Sequence, residues 1–364
     1  MKRAILVLAC AAIALSHETL TTTVLFDREI VRVLDRHCVM CHAERGPAFP
    51  LETYEQTWLQ KRPIRADVIA RHMPPWAAVQ GYGEFANENA VTLRESQFII
   101  SWVEGLGPRN SGTVFTNVSD PTAPKPKEVR AHADFDHWEL GEPKLKRQLP
   151  AITIEPGTNE VKRVAIDVGL TTERRLSGLE FLPGDRRVVR AAFFTIKETG
   201  QWIGSWTPWY GFVSLPKSVA YRLPPGSHVE AEIHFRGTKE RITEQGTLGL
   251  HFADQPVSHT VSDVELEAKG PAEKLHASVR LTSDIHALAL LPQIEAGMKS
   301  IEVSARKPDG STQVLLFAKD FPLDWPTPYI FKTPVALSKG TEVSAVAHYD
   351  TPRASLRLTI SKYQ

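Results

Sequence analysis

The run Val229-Glu230-Ala231-Glu232-Ile233-His234-Phe235 alternates apolar and polar residues at every step. Successive side chains of a strand point to opposite faces, so this run predicts a strand with one face in a core and one in water. The same texture recurs in Ala151-Ile152-Thr153-Ile154, Glu160-Val161-Lys162-Arg163-Val164-Ala165-Ile166, Ile301-Glu302-Val303-Ser304-Ala305 and Val343-Ser344-Ala345-Val346-Ala347. Turn signals separate these runs: Pro156-Gly157, Pro225-Gly226, Pro308-Asp309-Gly310 and Lys339-Gly340. From about residue 136 onward the pattern predicts an all-β region of the sandwich or jelly-roll type. Its length allows two jelly-roll sandwiches, residues 136–257 and 258–364. A weak internal echo supports two units. Leu223-Pro224-Pro225-Gly226-Ser227 precedes a strand that ends His234-Phe235, and Leu337-Ser338-Lys339-Gly340-Thr341 precedes one that ends His348-Tyr349.

Upstream the texture changes. Residues 109–135 hold Asn110, Ser111, Gly112, Pro121, Pro124, Lys125 and Pro126 without a sustained hydrophobic period, which predicts an extended, semi-stiff linker. Residues 21–108 read as a small all-α domain. Ile30, Val31, Val33 and Leu34 suit a short amphipathic helix over Asp27–Cys38. Glu52–Leu59 and Ile64–His72 are helix-like. Thr92-Leu93-Arg94-Glu95 is a capping box that opens a helix carrying Phe98, Ile99, Ile100, Trp102, Val103 and Leu106, with Gly105 or Gly107 to end it. A domain of roughly 85 residues has a marginal core of its own.

That domain contains Cys38-Val39-Met40-Cys41-His42. Two thiols at this spacing, followed directly by a histidine, form the attachment signature of a c-type haem. Cys38 and Cys41 would tether the group and His42 would ligate its iron. A zinc half-site needs a second ligand pair. A redox dithiol belongs at a strand-to-helix turn of a βαβ unit, and none is visible. The second axial ligand is expected from His72-Met73-Pro74-Pro75-Trp76. Met73 is the first candidate, held by the proline pair, and His72 is the rival; an open position is the third alternative. Gly46-Pro47-Ala48-Phe49-Pro50-Leu51 would break the helix and cover the ring edge.

The whole chain has 364 residues, 42% hydrophobic and 23% charged, with a net charge of +1. This balance fits a globular protein and gives no sign of nucleic-acid binding. Met1-Lys2-Arg3 and the apolar run Ala4–Leu15 read as a secretory signal over residues 1–20, too short to span a bilayer well. Of three cysteines, Cys10 falls in that signal and the other two in the motif. The expectation is an exported, periplasmic protein.

The haem segment, with Gly46-Pro47-Ala48-Phe49-Pro50-Leu51 and Met73-Pro74-Pro75-Trp76, resembles a bacterial family. There a small cytochrome c domain precedes a module similar to the copper type II, ascorbate-dependent monooxygenases of the peptidylglycine hydroxylase group. Val188-Val189, Leu223-Pro224-Pro225-Gly226, Lys307-Pro308-Asp309-Gly310 and Ala347-His348-Tyr349-Asp350 extend the resemblance over the β region, and it implies two packed jelly rolls. It also implies two copper sites, but their ligands are largely missing here. Arg190-Ala191 stand where an adjacent His pair is expected, Gln293-Ile294-Glu295 where a His-x-His pair is expected, and no Met is left to complete the second site. Only His234 remains, and it reads chiefly as a strand histidine. Arginine is a permanent cation and cannot ligate copper. Copper is therefore not expected.

The remaining features have simpler readings. Trp202, Trp206, Trp209 and Tyr210 read as sandwich core, with an aromatic docking surface as the alternative. His132 and His137 are expected to face solvent, and Arg186-Arg187 to form an exposed turn. Together these predict a c-type cytochrome with one covalent haem, carrying one electron to or from a redox partner protein. The metal-free β module would be a docking or structural platform. The enzyme alternatives are a haem-coupled copper monooxygenase or a haem peroxidase.

Overall fold

A computed structural model describes residues 22–111, 129–351 and 354–364. The predicted signal, Cys10 and most of the linker lie outside these residues. The chain is mostly β-sheet, preceded by a few short helices. Among the described residues no helix is long and apolar enough to cross a membrane.

Each half of the β region is a sandwich of two sheets. In the first half, one sheet runs Leu145–Gln148, Thr247–Phe252, Arg174–Leu182, Val219–Leu223, and the facing sheet runs Asn159–Asp167, His228–Arg236, Val189–Ile196, Trp202–Trp206. In the second half the sheets are Ser262–Gly270, Ala354–Tyr363, Ile285–Pro292, Tyr329–Leu337 and Lys274–Arg280, Glu342–Tyr349, Met298–Arg306, Thr312–Lys319. Short strands Ile152–Ile154, Phe212–Ser214, Ile242–Glu244 and His259–Thr260 add to the first half; ranked along the chain, the eight strands named for each half pair as first–eighth–third–sixth and second–seventh–fourth–fifth. That is the double Greek-key winding of a jelly roll, and it occurs twice. The echo in the sequence has its cause here. The strands ending at His234-Phe235 and His348-Tyr349 are the seventh in each roll, each hydrogen-bonded between two antiparallel neighbours.

The alternation predicted from sequence builds both cores. Val229, Ala231, Ile233 and Phe235 are fully buried in the first, while Val343, Ala345 and Ala347 are buried in the second. Met298 is buried in the second core.

The helical part has a third core. A π-helical turn, Phe26–Ile30, leads into α1, Val31–His37. Two further helices follow, α2 (Tyr54–Leu59) and α3 (Lys61–Ala70), and then α4 (Leu93–Glu104). The predicted capping box is present at α4: Thr92 accepts from the Glu95 backbone N–H, and the Glu95 carboxylate accepts from the Thr92 N–H. A second box, Thr53 with Gln56, starts α2. Phe26, Ile30, Leu34, Ile99 and Trp102 meet in the core, with Ala131 of the returning linker. The segment between α3 and α4 goes elsewhere. Trp76, Ala77, Ala78 and Phe85 join the core of the second sandwich, and Phe85 stacks on Phe331 with centroids 5.4 Å apart. Asn87, 2% exposed, donates to the Pro328 carbonyl (2.7 Å) and accepts from the Ile330 N–H (3.0 Å).

Candidate functional site

The motif lies where α1 ends. Cys38 N–H still bonds to the Leu34 carbonyl (2.9 Å), and Cys41 and His42 turn back to the Cys38 carbonyl (3.0 and 2.8 Å). The chain then doubles over the motif: Ala48 N–H reaches the Cys41 carbonyl (3.0 Å) and Leu51 N–H the His42 carbonyl (2.7 Å). Gly46 sits inside this fold. A Cβ there would lie 2.3 Å from the Cys41 oxygen, so only glycine fits.

Cys38, Cys41, His42 and Met73 line one open crevice. Its other walls include Ala48, Phe49, Leu51, Pro63, Ile64 and Val68, with Asp67 and His37, the latter 3.3 Å from Glu95, as the polar members. The expected four residues are thus brought together by two separate segments. His72 does not line the crevice; it is exposed, with its Nδ1 3.5 Å from Asp67. Met73 is 38% exposed.

The donors suit a haem. His42 Nδ1 is 2.9 Å from the Phe49 carbonyl, which can only accept, so Nδ1 carries the proton and Nε2 keeps its lone pair. Burial lowers the His42 pKa, with the Phe49 carbonyl acting against it, so the ring favours the neutral form a metal needs. The Phe49 ring packs edge-on to that imidazole at 4.7 Å. Burial pushes both thiols up to about 12.

Three parts of the surroundings were not evident in the sequence. Trp325, from the second sandwich, lines the crevice. Arg190 donates to the Pro47 carbonyl (3.1 Å) and lies 4.7 Å over the Trp325 ring. Arg186, expected on an exposed turn, is 8% exposed. Its guanidinium lies 4.3 Å over Phe135 and 5.0 Å over Trp206, and it donates to the Pro208 carbonyl. The turn itself is present, but two aromatic faces from separate segments cover this side chain; Arg187 is the more exposed member, paired with Asp185 at 2.6 Å.

Trp202 and Trp206 are buried, in keeping with core. Trp209 is half-buried and tilts against Trp325 at 6.3 Å. His132 and His137 are exposed. His234 bonds to Glu232 (3.1 Å) and packs against Phe193; its cross-strand partner is Ala191. Among the described residues no group of three or more His, Cys, Asp or Glu side chains is arranged to hold a metal ion.

No known family profile matches the sequence, and no curated protein matches it. Some solved structures are distantly similar. A structure of Sulfolobus turreted icosahedral virus matches at 10% identity and a TM-score of 0.24, covering 59% of this chain and 59% of that one. The major capsid protein P2 of bacteriophage PM2 matches at 8% identity and 0.27, covering 60% and 97%. The PBSX exported protein XepA matches at 10% identity and 0.17, covering 65% and 100%. Similarity this low carries no argument; the jelly-roll assignment rests on strand order.

Proposed function

We propose that this chain is an exported c-type cytochrome that carries one covalent haem and transfers single electrons to or from a partner protein. One observation carries the proposal: Cys38, Cys41, His42 and Met73, from two segments, all line the same apolar crevice. Each thiol would add across a haem vinyl group, its hydrogen going to the vinyl carbon and its sulfur forming the thioether. His42 would offer Nε2 to the iron, oriented by its Nδ1–H bond to Phe49. Met73 would offer its thioether from the second segment that lines the crevice. A haem so held supplies Fe(III)/Fe(II) exchange, and a thioether ligand raises its potential. Leu51, Ile64 and Val68 would give the ring an apolar wall. The jelly rolls serve as a metal-free structural platform, to which Trp325 and Arg190 bind the haem segment. The apolar run Ala4–Leu15 supports export.

The test is co-expression with a c-type maturation system. The purified protein should be red, keep its pigment through acidified acetone, and contain one iron per chain with no copper. Cys38→Ser with Cys41→Ser should lose the covalent pigment. Met73→Ala should convert a low-spin spectrum to high-spin. Colourless protein from that host, or pigment that acid acetone extracts, refutes the proposal. One stoichiometric copper, with ascorbate-driven oxygen uptake, would point to a monooxygenase.

A further inference from the structure

Arg186 and Arg190 are the two buried guanidiniums beside the crevice, 8% and 9% exposed. Buried charges are normally matched by a counter-ion. Among the described residues neither is within ion-pair reach of a carboxylate, and the Nε of each has no hydrogen-bond partner. Nearby acids are already taken: Asp136 by Arg45 (2.7 Å) and Asp324 by Arg236 (3.0 Å). Asp134, Glu139 and Glu180, which share a hollow with Arg186, have other partners in His137 and His251. Aromatic faces and the carbonyls of Pro47, Arg187 and Pro208 hold the two guanidiniums in place. Arg186 lines a hollow together with Met40, which stands between the two thiols, and Arg190 covers the ring of Trp325, a wall of the crevice, so both charges lie against the haem segment.

We propose that Arg186 and Arg190 set the haem's reduction potential: they are cations supplied by the first jelly roll that favour the ferrous state. Reduction removes one positive charge from the iron, so fixed positive charge nearby stabilises the reduced form. Burial keeps that field from being screened as a surface charge would be. The β region then belongs to the redox site. This inference rests on the proposed function.

The experiment is a spectroelectrochemical titration of the full-length holoprotein and its Arg186→Gln, Arg190→Gln and Arg190→Lys variants, with haem content measured in parallel. Each Gln variant should lower the reduced-to-oxidised ratio at a fixed redox buffer about tenfold, or about 59 mV for a one-electron couple. The shift should persist in high salt. Arg190→Lys should stay near the unsubstituted protein at neutral pH. Its ratio should then fall more steeply than that of the unsubstituted protein as alkali neutralises the amine. That titration gives the same readout in a folded protein should a Gln variant not accumulate. Ratios within twofold of the unsubstituted protein in the Gln variants, or no extra alkaline fall in Arg190→Lys, overturn the inference while leaving the cytochrome proposal intact. Unsubstituted protein without covalent haem overturns both.

Discussion

Asn87→Ala tests how the helical part is joined to the second sandwich. The Asn87 side chain donates to the Pro328 carbonyl at 2.7 Å and accepts from the Ile330 N–H at 3.0 Å, with a longer contact to Thr327 at 3.2 Å. Alanine leaves the Ile330 N–H buried and unpaired, while the Pro328 carbonyl keeps only the Thr327 hydroxyl at 3.2 Å. The orphaned donor costs about 2 kcal/mol and the lost bond to Pro328 about 1 kcal/mol, so the junction should weaken by about 3 kcal/mol. The damage should be local, because the jelly-roll ladders do not pass through this residue. Native-state hydrogen exchange is the suitable assay, since a chain with three cores need not unfold in one step. Two amides report on the junction: Ile330, bonded to Asn87, and Ala86, bonded to the Ile330 carbonyl at 2.7 Å. With about 1.4 kcal/mol per decade, their exchange should accelerate on the order of a hundredfold. Amides in the strand Glu342–Tyr349 should keep their rates. Less than a threefold change at both reporters would refute the idea that Asn87 fastens the two parts.

Two further predictions concern pH. Burial pushes the Glu95 carboxyl up, but hydrogen bonds from Thr92 and the charge of His37 outweigh it, so its folded pKa lies below the ordinary 4.5. The stabilisation is complete above that ordinary value and is lost as pH falls through the folded one. Glu95→Gln should cost about 2 kcal/mol at pH 7 and flatten the acid limb of melting temperature against pH; an unchanged limb would reject this. Asp263 behaves in the opposite sense, because burial pushes its pKa up to about 6. It favours the folded state at low pH and costs stability as pH rises from near 4 through 6. Asp263→Asn should remove that decline, about 1–2 kcal/mol allowing for partial exposure, as read by urea melts at pH 4 and 7.

Much of the fold was legible because its signals are local. Val229–Phe235 and Val343–Ala347 alternate because one face of each strand is core, and Thr92 with Glu95 closes a capping box within one helical turn. The motif was legible for the same reason, since Cys38, Cys41 and His42 are chain neighbours. Met73 needed only the proline pair beside it. What stayed hidden depends on distant partners. Nothing near Asn87 in the chain announces a bond to a residue 241 positions away. Arg186 reads as surface because arginine in a Gly-Asp-Arg-Arg turn usually is; Phe135 and Trp206 reverse that. Trp325 has no periodic context and gains its meaning only from the helical segment packed against it.

The position of Trp325 has a consequence for biogenesis. The side of the crevice that this indole closes is contributed near the carboxyl end, whereas the thiols emerge near the amino end. While the chain is being made, therefore, the cleft stands open on that flank until the final roll has wound. Under the proposed function, a prosthetic group and the machinery that tethers it would have that interval for access, before completion of the last roll shuts the flank.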